Sequence, residues 1–263
     1  MPPATDPAAI RRILEADRPW AVYALADLAP EHRAHARWHV AAAGRPALLL
    51  VYRAFHTPVL FACGEAADLR PLLVEIADQP ELYVSVRPEA AALLCAAGYR
   101  IPAEKRMWRM LLDARLFTPP LHPALPLAPA NFTEIERLYA DGQAAGEAPP
   151  FFDSAMLRHG VYFGIREGGA LIAAAGTHVL AAGDSVAAIG NVYTRRDRRG
   201  RGFGSQVTAA VAAELLRRHV RTVALNVEES NRTAIRIYER LGFKRYGEYR
   251  EGLALRAGHT PRQ

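Results

Sequence analysis

The stretch "NVYTRRDRRGRGFGSQVTAAVAAELL", residues 191–216, decides how this chain is read. It opens on Asn191-Val192-Tyr193-Thr194, a β-branched and aromatic run that suits a strand. Arg195, Arg196, Arg198, Arg199 and Arg201 follow, with Gly200, Gly202 and Gly204 at alternate positions. Val207, Val211 and Leu215 then recur every four residues, which predicts a helix over about 203–218 with one buried face. Glycine permits positive φ and close backbone approach. A helix start offers unpaired N–H groups and a partial positive charge. Strand, glycine loop and helix start in this order make a cradle for phosphate.

Two familiar phosphate loops do not fit. A nucleotidase P-loop needs lysine before its final Ser/Thr, and the segment from Gly200 to Ser205 has none. A dinucleotide fingerprint needs a third glycine where this chain has Ser205, and it belongs on the first strand–helix turn of a domain. Here three strands are expected before the loop.

The 263 residues are enough for one large or two ordinary domains, and 51% of them are hydrophobic. Apolar runs such as "PALLLVY" are strand-length, so no membrane span is expected. The start of the chain has no basic segment leading into an apolar one, so no signal peptide is expected and the compartment is read as cytoplasmic. Cys63 and Cys95 lie in apolar contexts without metal-type spacing, as reduced, buried thiols would. No metal site is expected. The net charge is +6, and the clustered arginines fit a phosphorylated small ligand better than nucleic acid, because aromatic and basic residues do not interleave on a strand face.

Pro119, Pro120, Pro123, Pro126 and Pro129 mark a linker, dividing the chain into 1–117 and 118–263. The first part reads as helices 7–17 and 20–28, strands "ALLLVYRA" and "PVLFACG", a helix "ADLRPLLVEIAD", a strand "LYVSV", a helix "PEAAALLCAAG" and a strand "KRMWRMLLDA". The second reads as a helix 131–141, strands "VYFGIRE" and "LIAAAGTHVL" joined by a tight Gly168-Gly169 turn, a strand "SVAAIGNVYT", the glycine loop and its helix. A strand "TVALNV", a helix 231–241 and a hairpin or strand pair "FKRYGEYREGLALR" close it. "LYVSVRPEAAALLCAAGYR" echoes "VALNVEESNRTAIRIYERLGFKR", a faint duplication whose first copy lacks the glycine loop. The fold class is thus mixed α/β.

"RGRGFG" fits R-x-x-G-x-G through Arg199, Gly202 and Gly204; "ALNV" and "EESNRTAIRIYERLGF" follow it. In motif, order and spacing, residues 120–256 resemble the GNAT superfamily of N-acetyltransferases, and the first part resembles a degenerate copy. The resemblance implies two such domains in tandem, each a mixed, mostly antiparallel sheet flanked by helices. It implies acetyl-CoA as acetyl donor, with Arg199, Gly200, Arg201, Gly202, Phe203, Gly204 and Ser205 presenting backbone N–H groups to the pyrophosphate. Val192, Tyr193 and Thr194, following Asn191, would pair with the pantetheine arm. Asn226 would line the cleft where strands splay. Asn231 and Tyr238 share a helix face about 10 Å apart along the axis. Asn231 would cap the helix and touch the arm, and Tyr238 would protonate the departing thiolate. Where many members carry proline, this chain has Arg196, so Arg195 and Arg196 either reach the cofactor's 3′-phosphate or stay solvated.

The implied reaction is direct attack of a primary amine, on a small molecule or a peptide, upon the thioester. Strand 185–194 supplies no carboxylate as base, so His178 in "AGTHV" is the inward candidate, with a packed core histidine as its plain alternative. Glu147 and Asp153 flank an acceptor-side loop in which Phe151 and Phe152 wall a pocket or anchor a core. Transfer of another acyl group, as in the glycine N-acyltransferase-like branch, and a non-catalytic acyl-CoA sensor are the alternatives.

Overall fold

A computed structural model describes residues 6–120 and 123–259. Residues 1–5 of the expected leaderless start, and Leu121 and His122 of the proline-rich segment, lie outside the described residues. The chain divides into two compact units. One comprises Met1–Arg109, Val227–Ser230 and Arg245–Gln263; the other comprises Met110–Asn226 and Asn231–Lys244. The division therefore differs from the expected 1–117 and 118–263. Proline segments mark where backbone pairing stops locally, whereas unit membership follows which strands pair at long range. From Arg245 on, the closing strand counts with the first unit.

In the first unit, strands Ala36–Val40, Leu48–Tyr52 and Val59–Cys63 form an antiparallel meander. Val59–Cys63 then pairs parallel with Glu81–Val86. Glu81–Val86 pairs antiparallel with Arg250–Leu255 on its other side. Leu48, Leu49, Leu50 and Val51 are all buried, as a strand covered on both faces requires. Leu49 and Val51 face a core with Leu60, Ile76, Val84 and Leu94. Elsewhere in this unit, Trp20 donates its indole N–H to the Ala62 carbonyl at 2.8 Å, and the buried Arg109 guanidinium lies 4.8 Å over its ring. The expected helix "ADLRPLLVEIAD" is instead a short α-helix, Ala66–Leu69, running into 3₁₀ turns over Arg70–Ile76. Pro71 lacks an N–H and its ring clashes with the turn before it, so an α-helix cannot pass through.

In the second unit, Leu125–Pro126, Tyr162–Glu167, Ala170–Ala181 and Val186–Thr194 pair antiparallel in that order. The Gly168-Gly169 turn has positive φ at both residues, 59° and 81°, the turn that matches strand twist. Val186–Thr194 pairs parallel with the Thr222–Glu228 strand, and the Phe203–Arg217 helix makes the crossover between them. The Arg232–Arg240 helix follows. A core cluster of this unit includes Ile135, Leu138, Tyr139, Tyr162, Ala174 and Tyr193.

The two units repeat one order: an antiparallel meander, a crossover, a parallel strand, a helix, then a glycine at positive φ. That glycine is Gly98 at 90° in the first unit and Gly242 at 98° in the second. The expected closing hairpin is a single strand, Phe243–Arg256. Both cysteines are free, but only Cys63 is buried; Cys95 falls on the outer side of the Pro88–Ala96 helix and is exposed. No helix among the described residues is long and apolar enough to cross a membrane.

Candidate active site

The parallel pairing of Val186–Thr194 with Thr222–Glu228 runs from Val186↔Thr222 to Ile189↔Leu225 and goes no further. Next to that point is a cavity of about 210 Å³, whose lining includes His178, Asn191, Val192, Asn226 and Tyr238. Two bulges shape it. Against Val186–Thr194, Ala188 pairs with Val179 and Ile189 with Thr177, so His178 is the extra, bulged residue of its strand. Gly190 pairs with Gly176 and Tyr193 with Ala174, so Asn191 and Val192 together face one residue. Bulges re-aim side chains that regular pleating would send elsewhere. Asn191 has φ +51°, in the left-handed region that asparagine tolerates better than most residues.

The re-aimed side chains meet. His178 Nε2 lies 2.9 Å from Asn191 Oδ1. Asn191 Nδ2 donates to Tyr162 Oη at 2.9 Å and to Met156 Sδ at 3.4 Å. Tyr139 Oη donates to the Asn191 carbonyl at 2.8 Å. Burial pushes the Tyr139 and Tyr162 phenols up, so both keep their protons. Two strand glycines make room. A Cβ on Gly190 would lie 2.3 Å from His178 Nε2, and one on Gly176 would lie 2.2 Å from the Tyr162 ring. Gly190→Ala is therefore expected to displace the His178 ring and destabilise the fold by ~1–3 kcal/mol, as overpacking does. The check is a denaturant midpoint that falls while the slope m stays constant.

The glycine loop has the conformation its composition demands. After a 3₁₀ turn, Arg196–Arg198, Gly200 has φ 77° and Gly202 φ 81°. Gly202 is the N-cap of the Phe203–Arg217 helix, and no side chain caps that helix. Its first N–H groups thus have no intrahelical partner. A Cβ on Gly200 would meet nothing within 4 Å, and one on Gly202 only Gln206 Nε2 at 3.9 Å. The loop thus leaves open space beside Gly200 and Gly202 at an uncapped helix N-terminus.

The arginines around it are less bare than the sequence suggests. Arg195 pairs with Asp197 at 2.6 Å and Arg196 with Asp141 at 3.6 Å. Arg198 pairs with Glu167 at 2.6 Å, Arg199 with Glu147 at 2.7 Å and Arg201 with Glu167 at 3.0 Å. Five guanidinium groups face four carboxylates, a local excess of one charge. The Arg199 guanidinium holds the Glu147 carboxyl below the usual carboxylate range, which keeps it ionised. The cradle's attraction for anions therefore comes chiefly from the amides and the helix dipole.

The remaining expected residues divide. Tyr238 lines the cavity at 8% exposure, and burial pushes its phenol up to about 12. Asn226 lines the cavity too. Asn231 caps its helix, accepting from the Ala234 N–H at 3.0 Å. The Tyr193 hydroxyl donates to Asp141 at 2.8 Å, so only its backbone serves the strand edge. The Thr194 carbonyl accepts from Arg199 Nε at 3.2 Å. Asp153 accepts from the Ala155 and Met156 N–H groups as the N-cap of the Ser154–His159 helix, which commits it to structure rather than to the acceptor. Phe152 stacks on Phe132 at 5.2 Å as a core anchor, whereas Phe151 is exposed. Tyr139, Met156, Tyr162 and the Asn191 side chain had no place in the sequence reading. Gly176 and Gly190, glycines inside otherwise good strands, were the available signal that rings pack there.

Comparison with known proteins agrees with this geometry. Residues 129–243 match the model of the Acetyltransferase (GNAT) family. Mycothiol acetyltransferase from Thermobispora bispora is 32% identical over 185 residues, which span 60% of this chain and 60% of that protein's length. A GCN5-related N-acetyltransferase from Kribbella flavida superposes with a TM-score of 0.64 at 19% identity, covering 93% of this chain and 96% of that one. A tandem GNAT protein from the clavulanic acid biosynthesis pathway gives 0.58 at 17% identity, covering 97% and 95%. At those identities the two structures speak for the fold. The strand–glycine loop–helix order, the splayed parallel pair and the family match together identify residues 129–243 as an acetyltransferase domain of the GNAT family.

Proposed function

We propose that the second unit transfers an acetyl group from acetyl-CoA to a primary amine on a small molecule or peptide. The observation that carries this reading is the continuity of three features: the open amide cradle at Gly200–Gly202, the strand edge left unpaired beyond Ile189, and a cavity holding His178 and Tyr238. These residues fit acetyl-CoA. Backbone N–H groups from Arg199 to Ser205 would hold its pyrophosphate, with no side chain on Gly200 or Gly202 in the way. The edge formed by Val192, Tyr193 and Thr194 would hold its amide-bearing arm, and Asn226 would face it across the splay. The bound thioester supplies an activated acetyl group. His178 would take the proton that the attacking amine must lose, and Tyr238 would give one to the sulfur.

Among its described residues the first unit carries no comparable cradle. Where its strand Val59–Cys63 ends, Gly64 is filled against its neighbour: a Cβ there would lie 2.5 Å from Ala47 Cβ. One acetyl-CoA per chain is the expected stoichiometry.

The test is thiol release from acetyl-CoA against a panel of amino acids, polyamines, aminoglycosides and peptides with free N-termini, with calorimetry of acetyl-CoA alone. Amine-dependent release supports the reading. Tight binding without turnover on any amine or acyl donor would point to an acyl-CoA sensor. Absence of both binding and turnover would overturn it.

A further inference from the structure

The contacts around Asn191 settle which way its amide faces. Met156 Sδ lies 3.4 Å from Asn191 Nδ2 and 3.4 Å from Tyr162 Oη. A thioether has no proton to give, so it can only accept. Turning the amide over would set Oδ1 against the sulfur, acceptor facing acceptor. Tyr162 has one proton, which its contact with the sulfur uses, and its lone pairs then face Nδ2 at 2.9 Å. The amide oxygen is left for His178. At 2.9 Å from an amide oxygen, Nε2 must carry a hydrogen. Neutral imidazole carries only one, so its lone pair is on Nδ1.

We infer that Asn191 is a positioning residue that holds neutral His178 as its Nε2–H tautomer, making Nδ1 the nitrogen that takes the acceptor amine's proton. The inference rests on the reading of His178 as base given above. In the transfer, an N–H bond of the ammonium breaks and its electron pair stays on the amine nitrogen. The Nδ1 lone pair binds that proton, and the ring becomes imidazolium. Asn191 Oδ1 still accepts from Nε2–H afterwards, so the contact survives both protonation states and the ring need not turn during the step. Which nitrogen of a histidine reacts is set by the bond the other one makes.

The surrounding fold is committed to this contact. The bulge on one strand re-aims His178 and the bulge on the next re-aims Asn191. Gly190 clears the ring's place, and Tyr139 fixes the Asn191 carbonyl. A histidine merely packed in a core would need none of these.

The experiment is nitrogen–proton correlation spectroscopy of the full chain with labelled histidine, with His178→Asn identifying the His178 signals among the nine histidines. The wild-type ring is expected to show a protonated-type Nε2, a pyridine-type Nδ1 and slow exchange of Nε2–H with water. Asn191→Gly keeps the left-handed backbone and deletes the amide. It should lose the slow exchange, average the two nitrogen signals and lower kcat about tenfold or more, part of the ~10²–10⁴ that a general base supplies. Acetyl-CoA affinity should stay unchanged. Met156→Leu, a volume-conserving change, should move the nitrogen signals the same way through the amide alone. A wild-type ring protonated at Nδ1, or an Asn191→Gly ring indistinguishable from wild type, overturns the inference. The base reading is decided separately: full kcat in His178→Asn removes it, and the proton transfer with it, whatever the tautomer.

Discussion

Replacing Tyr238 by phenylalanine is expected to lower kcat by ~10²–10⁴-fold while leaving acetyl-CoA affinity nearly unchanged. The ring and its edge-on contact with Phe243, centroids 6.2 Å apart, are kept; only a hydroxyl goes. The loss should fall on kcat, because a proton donor matters most once charge has built up on sulfur. Burial penalises the phenolate and lifts the group to about 12, so Tyr238 stays protonated through neutral and mildly alkaline pH. An alkaline limb in kcat from this residue belongs near pH 12. The same shift has a stability sign. The folded state holds this proton more tightly than the unfolded chain, whose tyrosine titrates near 10. The contribution is therefore complete below pH ~10 and lost as pH rises toward about 12. Tyr238→Phe should unfold less steeply across that window, measured by denaturant midpoints at several pH values. Full kcat in a folded Tyr238→Phe would make the tyrosine a packing residue.

The second large effect is on binding. Gly202→Asp puts a carboxylate at the mouth of the amide cradle, where only Gln206 Nε2 at 3.9 Å lies near the new Cβ. Aspartate tolerates the φ of 81° better than most residues, so the fold should hold. Repulsion between a carboxylate and a phosphate a few ångströms apart is roughly 1–4 kcal/mol at effective protein dielectrics. That corresponds to about a five- to several-hundredfold rise in the Kd for acetyl-CoA. Gly168→Asp is the control, since Gly168 has φ 59° and equally open surroundings but sits in the turn between two strands. Calorimetry should show the loss in the first variant, weakened at high salt, and not in the second. Unchanged affinity in a folded Gly202→Asp would falsify the pyrophosphate assignment.

The glycine loop was legible in the sequence because its signals are local. Alternating glycines demand special φ, and the fourfold spacing of Val207, Val211 and Leu215 demands a helix, whatever the rest of the chain does. Tyr238 was singled out by the family resemblance, its spacing from Asn231 putting both on one helix face, and it lines the cavity. The arginines misled, because Asp141, Glu147 and Glu167, which neutralise them, lie more than 25 positions away and no periodicity brings them together. The His178–Asn191 contact was hidden for another reason. It depends on two bulges, and each shifts the strand register by one residue, which no count of alternating apolar positions reveals. Asp153 read as a candidate at the acceptor because carboxylates are chemically ambiguous; only the two N–H groups it caps decide its role.

The pairing of Glu81–Val86 with the closing strand, Val86 opposite Arg250, has a consequence for how the molecule comes into being. During synthesis the Glu81–Val86 strand keeps an unpaired edge until Arg250–Leu255 has been made. Contacts between such distant residues form slowly, because a long loop must close before any pairing rewards it. The second unit's meander, from Tyr162 to Thr194, is local and can form while the tail is still being made. The first unit's sheet is therefore completed after the second unit's meander, and deleting Arg250–Leu255 is expected to leave Glu81–Val86 an open edge. A nascent edge waiting that long invites pairing with other chains.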